Sequence, residues 1–197
     1  MMMKKPSLIL MLIVLFLPAC KILTTSNPAA TLTPLIVEPN EGQPDFPPLG
    51  QYWVVDKGCD FDAEKIKIAD EVFEKLRMDG IAEVALICQT GIQDKGATND
   101  QKIWLRDWGR WAKMGDVEND RSLIWLIQPD VPPEAGRVTL EVSRWLTWYT
   151  AVDYYETLQE AADFANKDNF NGALISIARN VDAQLRRLWE THSAEGG

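Results

Sequence analysis

Val84-Ala85-Leu86-Ile87-Cys88 is an uninterrupted apolar run, and Ser122-Leu123-Ile124-Trp125-Leu126-Ile127 is a second one. Both runs are short, rich in aliphatic side chains and free of glycine and proline. That combination is typical of strands that are buried on both faces of a sheet. A sheet of such strands needs a layer of helices against each face, so these two stretches predict an α/β fold.

The flanking segments supply further strands and helices. Tyr52–Val55 is predicted as a first strand. Arg137–Val142 is predicted as a fourth, antiparallel to Ser122–Ile127, because the connection between them is too short for a helical crossover. Capping residues and apolar spacings of three and four predict four helices: one capped by Asp62 and ended by Gly80, Asn99–Met114, Asp153–Ala165, and a last one capped by Asp168 or Asn169. The order β-α-β-α-β-β-α-α predicts a Rossmann-like three-layer α/β/α sandwich with a four-stranded mixed sheet.

Residues 1–20 have the features of a secretory signal. Lys4 and Lys5 precede an apolar run, Leu8–Leu17, that is too short to span a bilayer, and Ala19 stands directly before Cys20. A small residue followed by cysteine resembles the lipobox of bacterial lipoproteins. That resemblance implies that Cys20 is diacylated and becomes the new N-terminus. The alternative is an ordinary cleaved signal peptide with a chance cysteine.

The rest of the chain divides into three parts. Residues 21–50 contain six prolines among threonine, serine, asparagine and glycine, and are predicted to be an extended tether. Residues 51–190 are predicted to form one folded domain, and residues 191–197 a polar, disordered tail. We therefore expect an extracytoplasmic protein on the cell membrane, or on the outer membrane where a cell has two.

The charge of the chain limits its partners. The formal net charge is −9, and removal of the signal peptide makes the protein more acidic still. Such a chain repels the phosphates of nucleic acids and of anionic lipid headgroups, so nucleic acid is excluded as a partner. Contact with the lipid bilayer is expected through the two acyl chains on Cys20, which are enough for stable anchoring.

Two cysteines remain beside Cys20. Cys59 and Cys88 form an even pair, which suggests a disulfide in an oxidising compartment. Closing that loop would stabilise the fold by roughly 3 kcal/mol in the chain-entropy model. The alternative is a pair of buried thiols.

The domain resembles the TPM family, which includes thylakoid-lumen photosystem II repair proteins, an acetylcholine-receptor modulator and many bacterial envelope proteins. The resemblance rests on the order and spacing of six segments: Trp53-Val54-Val55-Asp56, Val84–Ile87, Trp108–Gly115, Glu118–Ile124, Arg137–Val142 and Asp168–Leu174. It implies the same α/β fold and a role in assembling or repairing membrane complexes. Some family members have been described as phosphatases or as calcium-binding proteins.

The chain departs from the family pattern in two places. Arg121 replaces the glycine that precedes the third strand, and Ser143–Tyr149 replaces a glycine-rich segment after the fourth. Glycine-rich loops let backbone N–H groups approach a ligand closely. The bulky residues here place a family ligand site at this loop in doubt.

Four carboxylates form a candidate metal site. Asp56 follows the first strand directly, and Asp116, Glu118 and Asp120 lie in the loop before the third. If those two strands are neighbours, the carboxylates converge, and loop oxygens of this kind suit Ca²⁺ or Mg²⁺. The alternative is a solvated acidic loop and a turn aspartate that binds its own backbone. No cofactor other than such an ion is indicated.

Aromatic residues suggest contact surfaces. Trp145, Trp148 and Tyr149 form a dense group that serves either as core or as a partner contact. Trp104, Trp108 and Trp111 share one helix face and serve either as core or as a ligand platform.

The catalytic inventory is small. His192 is the only histidine and is expected to be solvated, and helix capping explains Asp60 and Asp62 better than a phosphatase motif does. We therefore expect a binding, assembly or quality-control module for an envelope membrane protein. A metal-assisted phosphatase using Asp56 and Asp120, and a non-catalytic calcium-binding module, are the alternatives.

Overall fold

The computed structural model describes residues 46–48, 52–92, 98–115 and 121–194. Its four strands are β1 (Val54–Lys57), β2 (Glu83–Gln89), β3 (Ser122–Ile127) and β4 (Val138–Val142). Its four α-helices are α1 (Ala63–Met78), α2 (Thr98–Trp111), α3 (Ala151–Ala165) and α4 (Phe170–Ala194). A short 3₁₀ turn, Pro133–Ala135, precedes β4.

The strands form one sheet in the order β1-β2-β3-β4. β1, β2 and β3 are parallel, and β4 runs antiparallel to β3, so the predicted mixed sheet and its antiparallel pair are confirmed. β2 is buried from Glu83 to Cys88 and β3 along its whole length, as expected for strands covered on both faces.

Helices cover both faces of the sheet, which confirms the three-layer α/β/α sandwich. Alternate strand residues such as Leu86 and Trp125 pack with α1, α3 and α4, whereas Ile87 and Leu126 pack with α2. The larger core lies on the three-helix face. The smaller core lies on the α2 face and includes Trp108, which is fully buried.

The two parallel crossovers have opposite hands. β1 to β2 and β2 to β3 each move one strand along the sheet in the same direction, yet α1 and α2 lie on opposite faces. Crossovers that share a direction have the same hand only when their helices share a face. One of these two connections is therefore left-handed, a geometry found in only about 2% of such units.

The helix starts follow from local capping. The Asp62 carboxylate accepts the Glu64 N–H at 2.9 Å, as the sequence predicts for α1. α3 begins two residues before its predicted start, because Thr150 is its cap: the Asp153 carboxylate accepts the Thr150 N–H at 2.8 Å in a capping box. α2 ends three residues before Met114, and Lys113 adopts a left-handed φ of 55°.

The predicted disordered tail is wrong over most of its length. α4 continues through Thr191 to Ala194, and residues 195–197 lie outside the described ranges. His192 is half-buried and stacks on Trp148, with ring centroids 5.7 Å apart. That contact holds a polar segment in the helix, so the expected solvated position of His192 is also wrong.

The predicted tether, residues 21–50, includes a packed segment. The Phe46 ring lies 5.3 Å from the Trp104 ring and 5.8 Å from the Trp111 ring. The carbonyl of Pro47 accepts the indole N–H of Trp108 at 2.8 Å. Residues 46–48 therefore belong to the folded domain, and residues 21–45 and 49–50 lie outside the described ranges.

The start of α4 has no room for a side chain at Gly172. A Cβ there would lie 2.6 Å from the Phe164 ring and 2.7 Å from the amide of Asn169. The Asn169 side chain also accepts the Gly172 N–H at 2.9 Å, so it is the cap of α4. The glycine lets α3 and α4 approach closely at their shared corner.

Gly172→Ala should destabilise the domain by about 1–3 kcal/mol, although alanine is the better helix former, because the methyl group displaces a packed ring and a capping side chain. Urea unfolding measures this cost. The double variant Gly172→Ala/Phe164→Ala should cost less than the sum of the two single changes, and strictly additive costs would contradict the clash.

Candidate functional site

Asp56 lies in β1, one residue before the end of the strand, and its carboxylate is occupied by the backbone. It accepts the N–H groups of Gly58 at 3.1 Å, Cys59 at 2.9 Å and Phe61 at 2.6 Å. Both oxygens take part, so Asp56 organises the turn that leads from β1 to α1. The structure thus matches the turn-aspartate alternative for this residue.

The other candidate metal ligands, Asp116, Glu118 and Asp120, lie outside the described residues. The residues that flank them are described: Gly115 follows α2, and Arg121 precedes the amino end of β3. Asp56 is near the carboxyl end of β1, which is parallel to β3. β2 lies between these two strands, so the premise that they are neighbours is wrong. The sheet does not support one metal site shared by Asp56 and the acidic loop.

The disulfide expected between Cys59 and Cys88 is present, with a Cα–Cα distance of 5.9 Å. Both cysteines are buried, and the bond joins the turn after β1 to the end of β2. Ligand atoms of Asp56, Cys59 and Cys88 lie within 4.8 Å of one another. An oxidised pair has no thiolate to offer a metal ion, so this group forms a structural staple.

A half-buried carboxylate joins β1 to α1. Asp70 accepts the backbone N–H of Trp53, and the Trp53 indole N–H donates to Glu74 at 2.8 Å. Burial raises the pKa of Asp70 to about 6, while the hydrogen bond from Arg77 lowers the pKa of Glu74. Strongly shifted groups often mark active sites, but the neighbours of Asp70 are structural contacts. Its position on the inner side of α1, between buried Ala69 and Phe73, is the signal that the sequence analysis missed.

The three aromatic residues of the predicted contact group are buried to different degrees. Tyr149 is core: only 2% of it is exposed, and its hydroxyl donates to Gln184 at 2.9 Å. Burial raises the pKa of its phenol. Trp148 is half-buried against Trp189 and His192. Trp145 is 52% exposed. The expectation of a contact surface is therefore wrong for buried Tyr149.

Trp145 is part of a cationic aromatic surface. The guanidinium carbon of Arg144 lies 4.8 Å from the centre of the Trp145 ring. Tryptophan and arginine are the residue types that contribute most to binding at protein interfaces. The arrangement can therefore bind another protein without any chemical step.

The tryptophan face of α2 does not form an open platform. Trp108 is fully buried, and Phe46 packs against both Trp104 and Trp111. Phe46 therefore covers the tryptophan face of α2, which the sequence predicted to be either core or a ligand platform. For Trp108, the core alternative is correct. Within the described ranges, no helix is both long and apolar enough to span a bilayer.

No protein-family model and no curated protein sequence matches this chain. The NMR structure of the BA42 protein from the psychrophilic bacterium Bizionia argentinensis is similar, with a TM-score of 0.52 and 12% identity over 66% of this chain and 83% of BA42. The NMR structure of the N-terminal domain of cg2496 from Corynebacterium glutamicum has a TM-score of 0.49 and 12% identity, over 68% and 79% of the two chains. At this identity, the likeness to BA42 supports the fold alone.

Asp70 should make stability depend on pH in a defined direction. Its folded pKa of about 6 lies above the ordinary value of 3.8. Folding therefore favours the protonated form of Asp70. The stability that this form contributes is fully present below about pH 4 and is lost as the pH rises through about 6. Asp70→Asn keeps an oxygen for the Trp53 N–H and cannot ionise. As the pH rises from about 4 to about 7, the melting temperature of the variant should increase relative to that of the parent.

Glu64→Gln, at an exposed carboxylate in the first turn of the same helix, is the matched control, because Glu64 is not among the neighbours that raise the pKa of Asp70. It should leave the pH profile of the melting temperature unchanged. Parallel profiles for the parent and Asp70→Asn would show that the buried carboxyl does not control this dependence.

Proposed function

We propose that this chain is a lipid-anchored extracytoplasmic protein whose TPM-like domain binds an envelope membrane protein and serves in assembly or quality control. The observation that carries the proposal is Trp145, which is half-exposed beside Arg144 on the segment after β4. A bulky indole held in water by a rigid domain is the kind of residue that becomes a binding hot spot when a partner covers it.

Two further observations support the proposed location. The Cys59–Cys88 disulfide is typical of proteins that fold in an oxidising compartment, and it lies in the domain that follows the lipobox-like sequence ending at Cys20. The acidic composition leaves the acyl chains as the means of attachment to lipid. Location and binding together describe a domain held near membrane proteins that it contacts.

Within the described residues, no observation supports the two metal-dependent alternatives. The Asp56 carboxylate accepts three backbone N–H groups and so is not free as a nucleophile or an ion ligand. Asp120, its partner in the phosphatase alternative, adjoins Arg121 at the other end of the parallel strands.

Cys20→Ser should remove the anchor. In a bacterial host, the full chain should shift from the membrane fraction to the soluble extracytoplasmic fraction, and incorporation of labelled palmitate should be lost. Ser26→Ala is a control in the same segment and should retain both. A Cys20→Ser chain that stays acylated and membrane-bound would refute lipidation at this residue.

Trp145→Ala should weaken partner binding by about tenfold or more, because the indole is the proposed hot spot. The measurement is recovery of a discrete membrane-protein complex, on native gels, from cells extracted in a gentle detergent. Tyr52→Ala is the matched control, since Tyr52 is an aromatic residue of similar exposure (46% against 52%) two residues before β1. Recovery of only free, monodisperse lipoprotein from the parent strain would refute the proposed function.

A further inference from the structure

β4 has an unpaired outer edge. Gln128 donates its N–H to the carbonyl of Arg137 at 2.8 Å, and Ser143 donates its N–H to the carbonyl of Ser122 at 2.9 Å. Antiparallel pairing alternates, so odd-numbered β4 residues face β3, while the N–H and C=O groups of Val138, Leu140 and Val142 point away from it. In the described part of the chain, no other strand borders β4.

In the described part of the chain, β4 has no proline, lysine or bulge that would block pairing along this edge. Natural edge strands are shielded by proline, lysine, bulges or a covering segment. The β4 sequence, Val138-Thr139-Leu140-Glu141-Val142, contains no proline and no lysine, and its register with β3 is continuous. A regular strand of this composition is a template for another strand.

We propose that the occupant of this edge is β4 of a second copy of the chain. Antiparallel pairing about a two-fold axis at Leu140 would place Val138 of one copy opposite Val142 of the other. The outward groups of these three residues would then form about six backbone hydrogen bonds, and the two sheets would become one continuous eight-stranded sheet.

The charges at the two ends of β4 favour this arrangement over a parallel one. At the carboxyl end, Arg144 lines a groove of about 590 Å³, in which Arg106 and Arg110 are already paired with Glu141 and Asp107. At the amino end, the exposed Glu134 lies in the 3₁₀ turn before β4. The two-fold axis brings Arg144 of each copy beside the turn that carries Glu134 of the other. The surface is therefore self-complementary, as a two-fold interface must be.

Exposed apolar residues lie on the helix beside the edge. α3 packs on β4, and its Thr157 side faces α4, where the Gln184 amide donates to the Thr157 hydroxyl at 3.0 Å. Val152 and Tyr155 are 86% and 58% exposed and share a face of α3 turned away from Thr157. Pairing of two β4 edges would bring the α3 helices of both copies together and give these side chains an apolar contact.

The first test is the mass of the full chain as a function of concentration, by sedimentation equilibrium in a density-matched detergent. A reversible change from one chain to two is expected. A single-chain mass up to millimolar concentration would overturn the inference. This outcome is independent of partner binding through Trp145, which is measured in cell extracts.

Val142→Pro tests the edge itself. Proline removes the outward N–H of Val142 and none of the hydrogen bonds to β3, so pairing should be lost while the fold remains. Val142→Ala keeps the N–H and is the matched control; circular dichroism and a thermal melt of both variants verify folding. A Val142→Pro dimer as strong as that of Val142→Ala would overturn the proposed edge pairing.

A charge exchange tests the orientation without touching the strand. Arg144→Glu and Glu134→Arg should each weaken dimerisation by about tenfold, because the two-fold axis changes two copies of each contact. The double variant should recover most of the loss. If the double variant does not recover dimerisation, the antiparallel arrangement is overturned. The control is Arg179→Glu, at an exposed arginine of α4, which should leave the dimer unchanged.

Discussion

β2 and β3 have no polar face, and the rest of the domain keeps water away from both of their sides. Successive residues along these strands point to opposite faces and fill two separate cores, one under α1, α3 and α4 and the other under α2. Of the described helices, α2 alone covers the smaller core, and Phe46–Pro48 adds cover there by packing on α2. Because the parallel strands follow one another in order and the two crossover helices, α1 and α2, cover opposite faces, the two crossovers have opposite hands.

Much of this architecture could be predicted from local patterns. Burial on both faces leaves an apolar run that is visible in the sequence, and Asp62 marks the start of α1 because its carboxylate binds the backbone two residues on. Contacts between distant residues leave no such mark. The last turn of α4 is polar in sequence and depends on His192 stacking against Trp148. The hand of a crossover depends on which face its helix covers, which no local pattern records.

The candidate site shows the same limit. Asp56 was recognisable as a carboxylate at the end of a strand, but its role was fixed by three backbone donors in the turn that follows. Its convergence with the acidic loop failed on strand order, which is a property of the whole sheet. The cysteine pair was easier to predict, because few alternatives exist for two cysteines once a third is assigned to the lipobox-like sequence. Among the aromatic residues, sequence could name the group but could not separate buried Tyr149 from exposed Trp145.

The attachment of Phe46–Pro48 to α2 has a mechanical consequence. In the lipid-anchored protein proposed above, tension along the upstream chain would be delivered first to the aromatic contacts of Phe46 and to the hydrogen bond between Pro47 and Trp108. Trp108 is fully buried beneath α2, so the load enters the domain through its interior. β1, an edge strand that could otherwise be peeled from the sheet one bond at a time, is shielded from that pull.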